Sequence, residues 1–149
     1  MPPTAIDTSV IVAAHVVRHD HHEAAFRAIE TTLESDGSLI LPMPALVEAY
    51  SVLTRMPAPF RLSPADASRV LQRSLQGVSQ LASLSDEGSW PFLADLAKGQ
   101  AIGRAVYDFQ IIACAVKAGA KQIITFNARD FERLKPEGIR IVNPLMVTS

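Results

Sequence analysis

Short β-prone runs separated by segments of helical spacing constrain this chain more than any other feature. The runs are Thr4-Ala5-Ile6-Asp7, Ser38-Leu39-Ile40-Leu41, Lys121-Gln122-Ile123-Ile124-Thr125 and Ile139-Arg140-Ile141-Val142, with a less regular one over Val78 to Leu84. Strands joined through helices rather than tight turns pair in parallel, and a parallel sheet needs both faces covered. The expected fold class is therefore α/β, a three-layer α/β/α sandwich around a mostly parallel central sheet. At 149 residues and 48% hydrophobic, the chain suits a single domain over 1–149 with no internal repeat or linker.

The helical segments carry their own punctuation. Ser9 to Arg18 follows the first run. His22 to Glu34 places Ala25, Ile29 and Leu33 at steps of four and stops at Ser35-Asp36-Gly37. Pro44 suits the first turn of a helix over Ala45 to Arg55, because proline lacks the amide proton that helix starts leave unpaired. Ser63 reads as the N-cap of a helix from Pro64 to Gln76. Further helices are expected over Trp90 to Lys98, over Arg104 to Ala118 with Gly119 closing it, and over Ala128 to Leu134.

Charge and cysteine usage narrow the function. Fourteen Lys and Arg against 15 Asp and Glu give a net charge of -1, which excludes a protein that grips polyanions by bulk positive charge. The one cysteine, Cys114, sits in an apolar run and reads as core filler, with a reducing cytoplasm the simplest setting. No uninterrupted apolar run approaches the roughly 20 residues of a spanning helix, so no membrane role is expected.

Ligands of open parallel sheets bind beyond the carboxyl ends of the strands, which makes the polar residues there the first candidates. Asp7 ends the first strand; with Thr8 and Ser9 it also has the composition of a helix cap. Glu48 stands among Leu46, Val47, Ala49, Val52 and Leu53, where a carboxylate is costly unless partnered; alternatively it shares a solvated stripe with Ser51 and Arg55. Asp108 is in line with Ile111, Ile112 and Ala115 on one helical face; alternatively it favours the helix dipole and pairs with Arg104. Thr125, Asn127 and Asp130 follow another strand, where Asn127 could cap the short helix and Asp130 could be exposed on it. His19, His21 and His22 are too crowded for a three-ligand helical site and read as a solvated turn.

Taken together, Ile6-Asp7-Thr8-Ser9-Val10-Ile11, Val47-Glu48-Ala49-Tyr50-Ser51-Val52-Leu53-Thr54-Arg55, Tyr107-Asp108-Phe109-Gln110-Ile111-Ile112-Ala113-Cys114-Ala115 and Ile124-Thr125-Phe126-Asn127-Ala128-Arg129-Asp130-Phe131 resemble the motifs of the PIN domain family. The resemblance is narrower still to the VapC-type toxins of toxin–antitoxin systems. It spans nearly the whole chain, including His19-Asp20-His21-His22-Glu23-Ala24-Ala25 between the first two helices. It implies a metal-dependent endoribonuclease in which Asp7 and Asp108 are the main ligands of Mg²⁺ or Mn²⁺ and Glu48 binds directly or through water. Ser9 and Thr125 are then supporting hydrogen-bonders, and Arg55, Lys98 and Arg104 candidate contacts to RNA phosphate. The implied partners are an RNA substrate, a cognate antitoxin and a second copy of the chain. Many relatives carry an acid where this chain has Asn127, which leaves either Asn127 or Asp130 to complete the site.

Two other enzyme classes lack their signatures. Phosphatases with an Asp nucleophile resemble one another in an Asp-x-Asp after the first strand, where this chain has Ser9 at the second position. Phosphorylated receiver domains need a lysine after a late strand, where Thr125-Phe126-Asn127 stands. The remaining alternative is a PIN-like module that binds RNA or a protein without cutting, kept open by Asn127.

Overall fold

The computed structural model describes residues 1–35, 37–134 and 136–146. Asp36, expected in the turn that stops the second helix, lies outside the described residues, as do the last three positions of the chain. The first run forms β1 (Thr4–Ile6), wholly buried, and β2 (Leu39–Pro42), β3 (Gln80–Ala82), β4 (Gln122–Ile124) and β5 (Arg140–Val142) join it. Their spatial order is β3-β2-β1-β4-β5, and all four pairings are parallel. The reversal of direction beside β1 puts a switch point between β1 and β4, where such sheets hold their ligands.

The helices are α1 (Thr8–His15), α2 (His22–Glu34), α3 (Met43–Arg55), α4 (Pro64–Leu75), α5 (Asp86–Lys98), α6 (Ala105–Lys117) and α7 (Ala128–Arg133), with a 3₁₀ turn at Pro144–Met146. Strand register separates the two faces of the sheet. Thr4, Leu39, Gln122 and Arg140 are opposite one another in the ladder and share a face, and so do Ile6 and Ile124. On that face Arg140 donates to Gln122 Oε1 at 3.1 Å and Gln122 donates to Thr4 Oγ1 at 2.9 Å, which satisfies the buried polar groups across three strands. Residues of α2 lie over this side, and α6 and α7 pack against β2, β3 and β5, giving the three-layer α/β/α arrangement. Ile6, Ile11, Ile40, Leu53, Ile111, Ile123 and Phe131 are the large side chains at the centre of the core.

Several boundaries move for physical reasons. The first helix stops at His15 rather than Arg18, because Val16 turns extended and His22 Nδ1 bonds the Ala13 carbonyl at 2.8 Å. β3 is confined to three residues of the expected seven. The fifth helix begins at Asp86, four residues before Trp90, where Ser85 caps it by accepting the Gly88 N–H at 3.1 Å; Pro91 lies inside it. Ser63 caps α4 and Gly119, at φ +87°, follows the end of α6, both as expected. Gly37 leads into β2 under the chain start: a Cβ there would come within 2.5 Å of the Met1 carbonyl oxygen. The histidine turn is half-buried rather than solvated, with His21 stacked on Phe126 at 4.8 Å and His22 tied to Ala13.

Candidate active site

Asp7 is at the end of β1 and N-caps α1, so one carboxylate serves both the sheet edge and the helix start. It is 2% exposed. Its Oδ1 accepts the Thr8 N–H at 2.6 Å, and its Oδ2 accepts the Ser9 hydroxyl at 2.8 Å and the Thr125 hydroxyl at 2.7 Å. Each hydroxyl in turn accepts a backbone N–H from the segment after β4, Ser9 from Phe126 at 3.1 Å and Thr125 from Asn127 at 2.9 Å. The two strands flanking the switch point are thereby locked together through one carboxylate. The capping reading and the site reading of Asp7 describe the same side chain.

Burial pushes the Asp7 carboxyl above its ordinary range despite the hydrogen bonds from Thr125, Ser9 and Thr8 that oppose it. Glu48 is raised by partial burial and then by the charge of Asp7, with Arg55 and Arg104 pulling the other way. Asp108 is raised to about 6, by partial burial first and then by Asp7, Glu48 and Asp130, with Arg104 opposing. Asp108 is in the first turn of α6, as the helix-dipole reading expects, but the pairing with Arg104 is not formed: no ion pair within 4 Å joins the two among the described residues. At the carboxyl edge of the sheet, Asp7 thus acts on Glu48 from α3, and Asp7, Glu48 and Asp130 act on Asp108 from α6.

Glu48, Asp108, Asn127 and Asp130 line a cleft of about 720 Å³ together with Arg55, Arg104, Tyr107 and Arg133. Asp7 is too deeply buried to be part of the lining, although its charge reaches both Glu48 and Asp108. Glu48 is exposed and Val47 is 53% exposed, which corrects the expectation of an apolar surround; the stripe shared with Arg55 is the wall of the cleft. Asn127 occupies the cap position of α7, but its side chain makes no capping bond. Asp130 is 3.6 Å from Arg133 one turn later. Lys98 is exposed in the last turn of α5 and is not among the lining residues. Arg133 and Tyr107 were not anticipated. Arg133 was signalled by its i,i+3 spacing from Asp130, and Tyr107 by its place beside Asp108. Cys114 is 1% exposed with its thiol pushed up by burial, so it stays an inert part of the core.

The acids offer oxygen donors only, the set preferred by hard divalent cations, and their mutual repulsion is what such a cation relieves. As they stand, no three His, Cys, Asp or Glu among the described residues are grouped closely enough to hold an ion. The chemistry of the donors fits a cation, and Glu48 is exposed to the cleft.

A parallel α/β sandwich with an acidic cluster at the switch point defines the class. The chain belongs to the PIN domain family, whose model matches residues 4–136. Ribonuclease VapC40 of Mycobacterium tuberculosis is 38% identical over 137 residues, covering 89% of this chain and 95% of that protein. Ribonuclease VapC27 of the same species is 33% identical over 141 residues, covering 95% and 96%. In fold the chain is similar to M. tuberculosis VapC20, a sarcin-ricin loop cleaving toxin, with a TM-score of 0.69 at 18% identity over 92% of this chain and 98% of that one. It is also similar to FitAB bound to IR36 DNA, with a TM-score of 0.65 at 16% identity over 98% of each chain, and to VapBC2 of Rickettsia felis bound to a promoter DNA fragment, with a TM-score of 0.66 at 14% identity over 94% of this chain and 97% of that one.

Proposed function

We propose that the protein is an endoribonuclease, the toxin of a toxin–antitoxin pair, which hydrolyses RNA phosphodiesters at the cleft around Glu48 and Asp108. The observation that carries this reading is the convergence of three acids beside arginines of one cleft: the buried charge of Asp7 raises the carboxyl pKa of both Glu48 and Asp108, and Glu48 raises that of Asp108. The identity to relatives named ribonucleases supports it. Asp7, Asp108 and Glu48 are the residues that would hold Mg²⁺ or Mn²⁺. A bound divalent ion supplies activated water for in-line attack on phosphorus and charge stabilisation at the departing 3′ oxygen.

The chain's own residues prepare that chemistry. Thr8, Ser9 and Thr125 fix Asp7 in one orientation through the bonds at 2.6, 2.8 and 2.7 Å, so no ordering is left to be done when ligand arrives. Arg55 and Arg104 face the acids across the cleft and suit the phosphates on either side of the scissile bond. Asp130 adds negative charge at the rim and Asn127 a neutral amide. An antitoxin is the expected protein partner, supported by the VapBC2 and FitAB neighbours in fold, and a homodimer the expected assembly. No helix among the described residues is long and apolar enough to cross a membrane.

Incubation of the purified protein with RNA and Mg²⁺ tests the reading. Internal cuts that disappear in Asp7→Asn while its circular dichroism stays native are expected. Cutting by Asp7→Asn at the wild-type rate would remove the site from the account. The non-cutting alternative is favoured by the open spacing of the acids, and binding of RNA without product at any Mg²⁺ or Mn²⁺ concentration would select it.

A further inference from the structure

We propose that Tyr107 and Asn127 hold one unpaired RNA base beside the acidic cluster, Tyr107 by stacking on its face and Asn127 by bonding its edge. The inference rests on the ribonuclease reading and adds which residues would hold a base beside the acids.

Tyr107 precedes Asp108 in the first turn of α6 and lines the same cleft. It is 61% exposed. Among the described residues, the aromatic contacts are those of His19 with His21, His21 with Phe126, His22 with Phe26 and Phe92 with Phe109, and Tyr107 takes part in none. Its hydroxyl has no hydrogen bond within the described chain either. A large ring kept out of the core, in the same cleft as Asp108, is a surface on which a flat base can stack. Base stacking on such a ring is tolerant of sequence but needs an exposed base face, which an A-form duplex hides in its own stack.

Asn127 supplies the complementary group. Its backbone N–H is bound to Thr125 Oγ1 at 2.9 Å, which fixes the residue, while its side chain is exposed in the cleft and does not cap α7. An acid there would offer acceptors only. An amide offers a donor and an acceptor side by side, the pattern that matches a base edge. Arg55, Arg104 and Arg133 in the same lining provide the charge that holds the flanking phosphates.

The experiment uses the purified full-length protein with an unstructured mixed-sequence RNA oligonucleotide and the same strand annealed to its complement, reading affinity by fluorescence anisotropy and cut ends by sequencing. The single strand should bind more tightly than the duplex. Tyr107→Ala should weaken single-strand binding roughly tenfold, and Tyr107→Phe, which keeps the ring, should restore it. Asn127→Ala should change the base frequencies beside the cut. Equal binding by wild type and Tyr107→Ala, equal binding of single strand and duplex, or unchanged base frequencies in Asn127→Ala would overturn the base site. So would Asn127→Asp if it raised cleavage with the base preference unaltered, since the position would then belong to the acidic set. If wild type cuts RNA while Tyr107→Ala is indifferent, the base site fails and the ribonuclease reading survives. If wild type binds with the expected Tyr107 dependence but never cuts, the ribonuclease reading fails while stacking on Tyr107 stands.

Discussion

At Thr125 a single hydroxyl connects the two strands that build the site, donating to Asp7 Oδ2 and accepting from Asn127 N–H while wholly buried. Thr125→Val keeps the shape and removes both bonds. It should cost about 1–3 kcal/mol, read from urea denaturation, because the buried Asp7 carboxylate loses a donor and the part-buried Asn127 N–H its acceptor. It should also lower RNA cleavage roughly 10–100-fold by freeing Asp7 to move. Loss of activity without loss of stability would show that the hydroxyl does something other than brace. The acids give a pH signature. The folded chain holds protons on Asp7, Glu48 and Asp108 above the pH at which an unfolded chain releases them. Between the ordinary carboxylate range and the value of about 6 for Asp108, the folded state binds more protons, so stability falls as pH rises through that window. Thermal scans in chelator-treated buffer should show that decline in wild type and a shallower one in Asp108→Asn. Equal slopes would mean that Asp108 does not titrate as described. Much of this was readable beforehand, because Asp7, Glu48 and Asp108 interrupt apolar patterns. Tyr107 and Arg133 carry only the local signal of standing near Asp108 and Asp130, because their place in the site depends on a cleft that exists only once α3, α6 and α7 converge.

Helix starts and stops are where local chemistry and tertiary context compete. Ser63 accepts the Asp66 N–H at 3.1 Å, and the Ser-Pro start was legible because both residues act within one turn. Ser63→Ala should therefore lower stability by about 1 kcal/mol, seen as a shift in denaturation midpoint at unchanged slope. No change would mean that solvent satisfies that end of α4 equally well. The end of α1 was not legible, since it depends on His22, from the next helix, reaching the Ala13 carbonyl. The start of α5 was missed although Ser85 followed by Asp86 and Glu87 is an ordinary helix opening; Pro91 within the helix obscures the pattern, and the absence of any buried residue on α5 removes the apolar periodicity that would have revealed it. The strands were legible as runs, but their trimming to three or four residues reflects pairing partners that no single run contains.

For the whole molecule, the balance of acidic and basic residues conceals where they gather. The near-neutral sum of 14 against 15 was a sound argument against bulk attraction to nucleic acid, yet the cleft gathers Glu48, Asp108 and Asp130 with Arg55, Arg104 and Arg133. A divalent ion would cancel the repulsion among the acids and leave the arginines to attract RNA. Mg²⁺ at about ten times its Kd should raise the melting temperature by roughly 3–5 °C in a chain of this size and by much less in Asp108→Asn. Identical shifts would place the ion elsewhere. The parallel order β3-β2-β1-β4-β5 explains why residues so far apart in sequence meet, since β1 and β4 are neighbours in the sheet although α1 to α6 separate them along the chain. The measurement closest to the centre of the account is cleavage of an end-labelled RNA by purified wild type and Asp108→Asn, side by side with Mg²⁺ and with excess chelator. Internal cuts by wild type that vanish with chelator and in the variant, at matched folded content, are the predicted result. Equal cutting by Asp108→Asn, or cutting that persists in chelator, would contradict it.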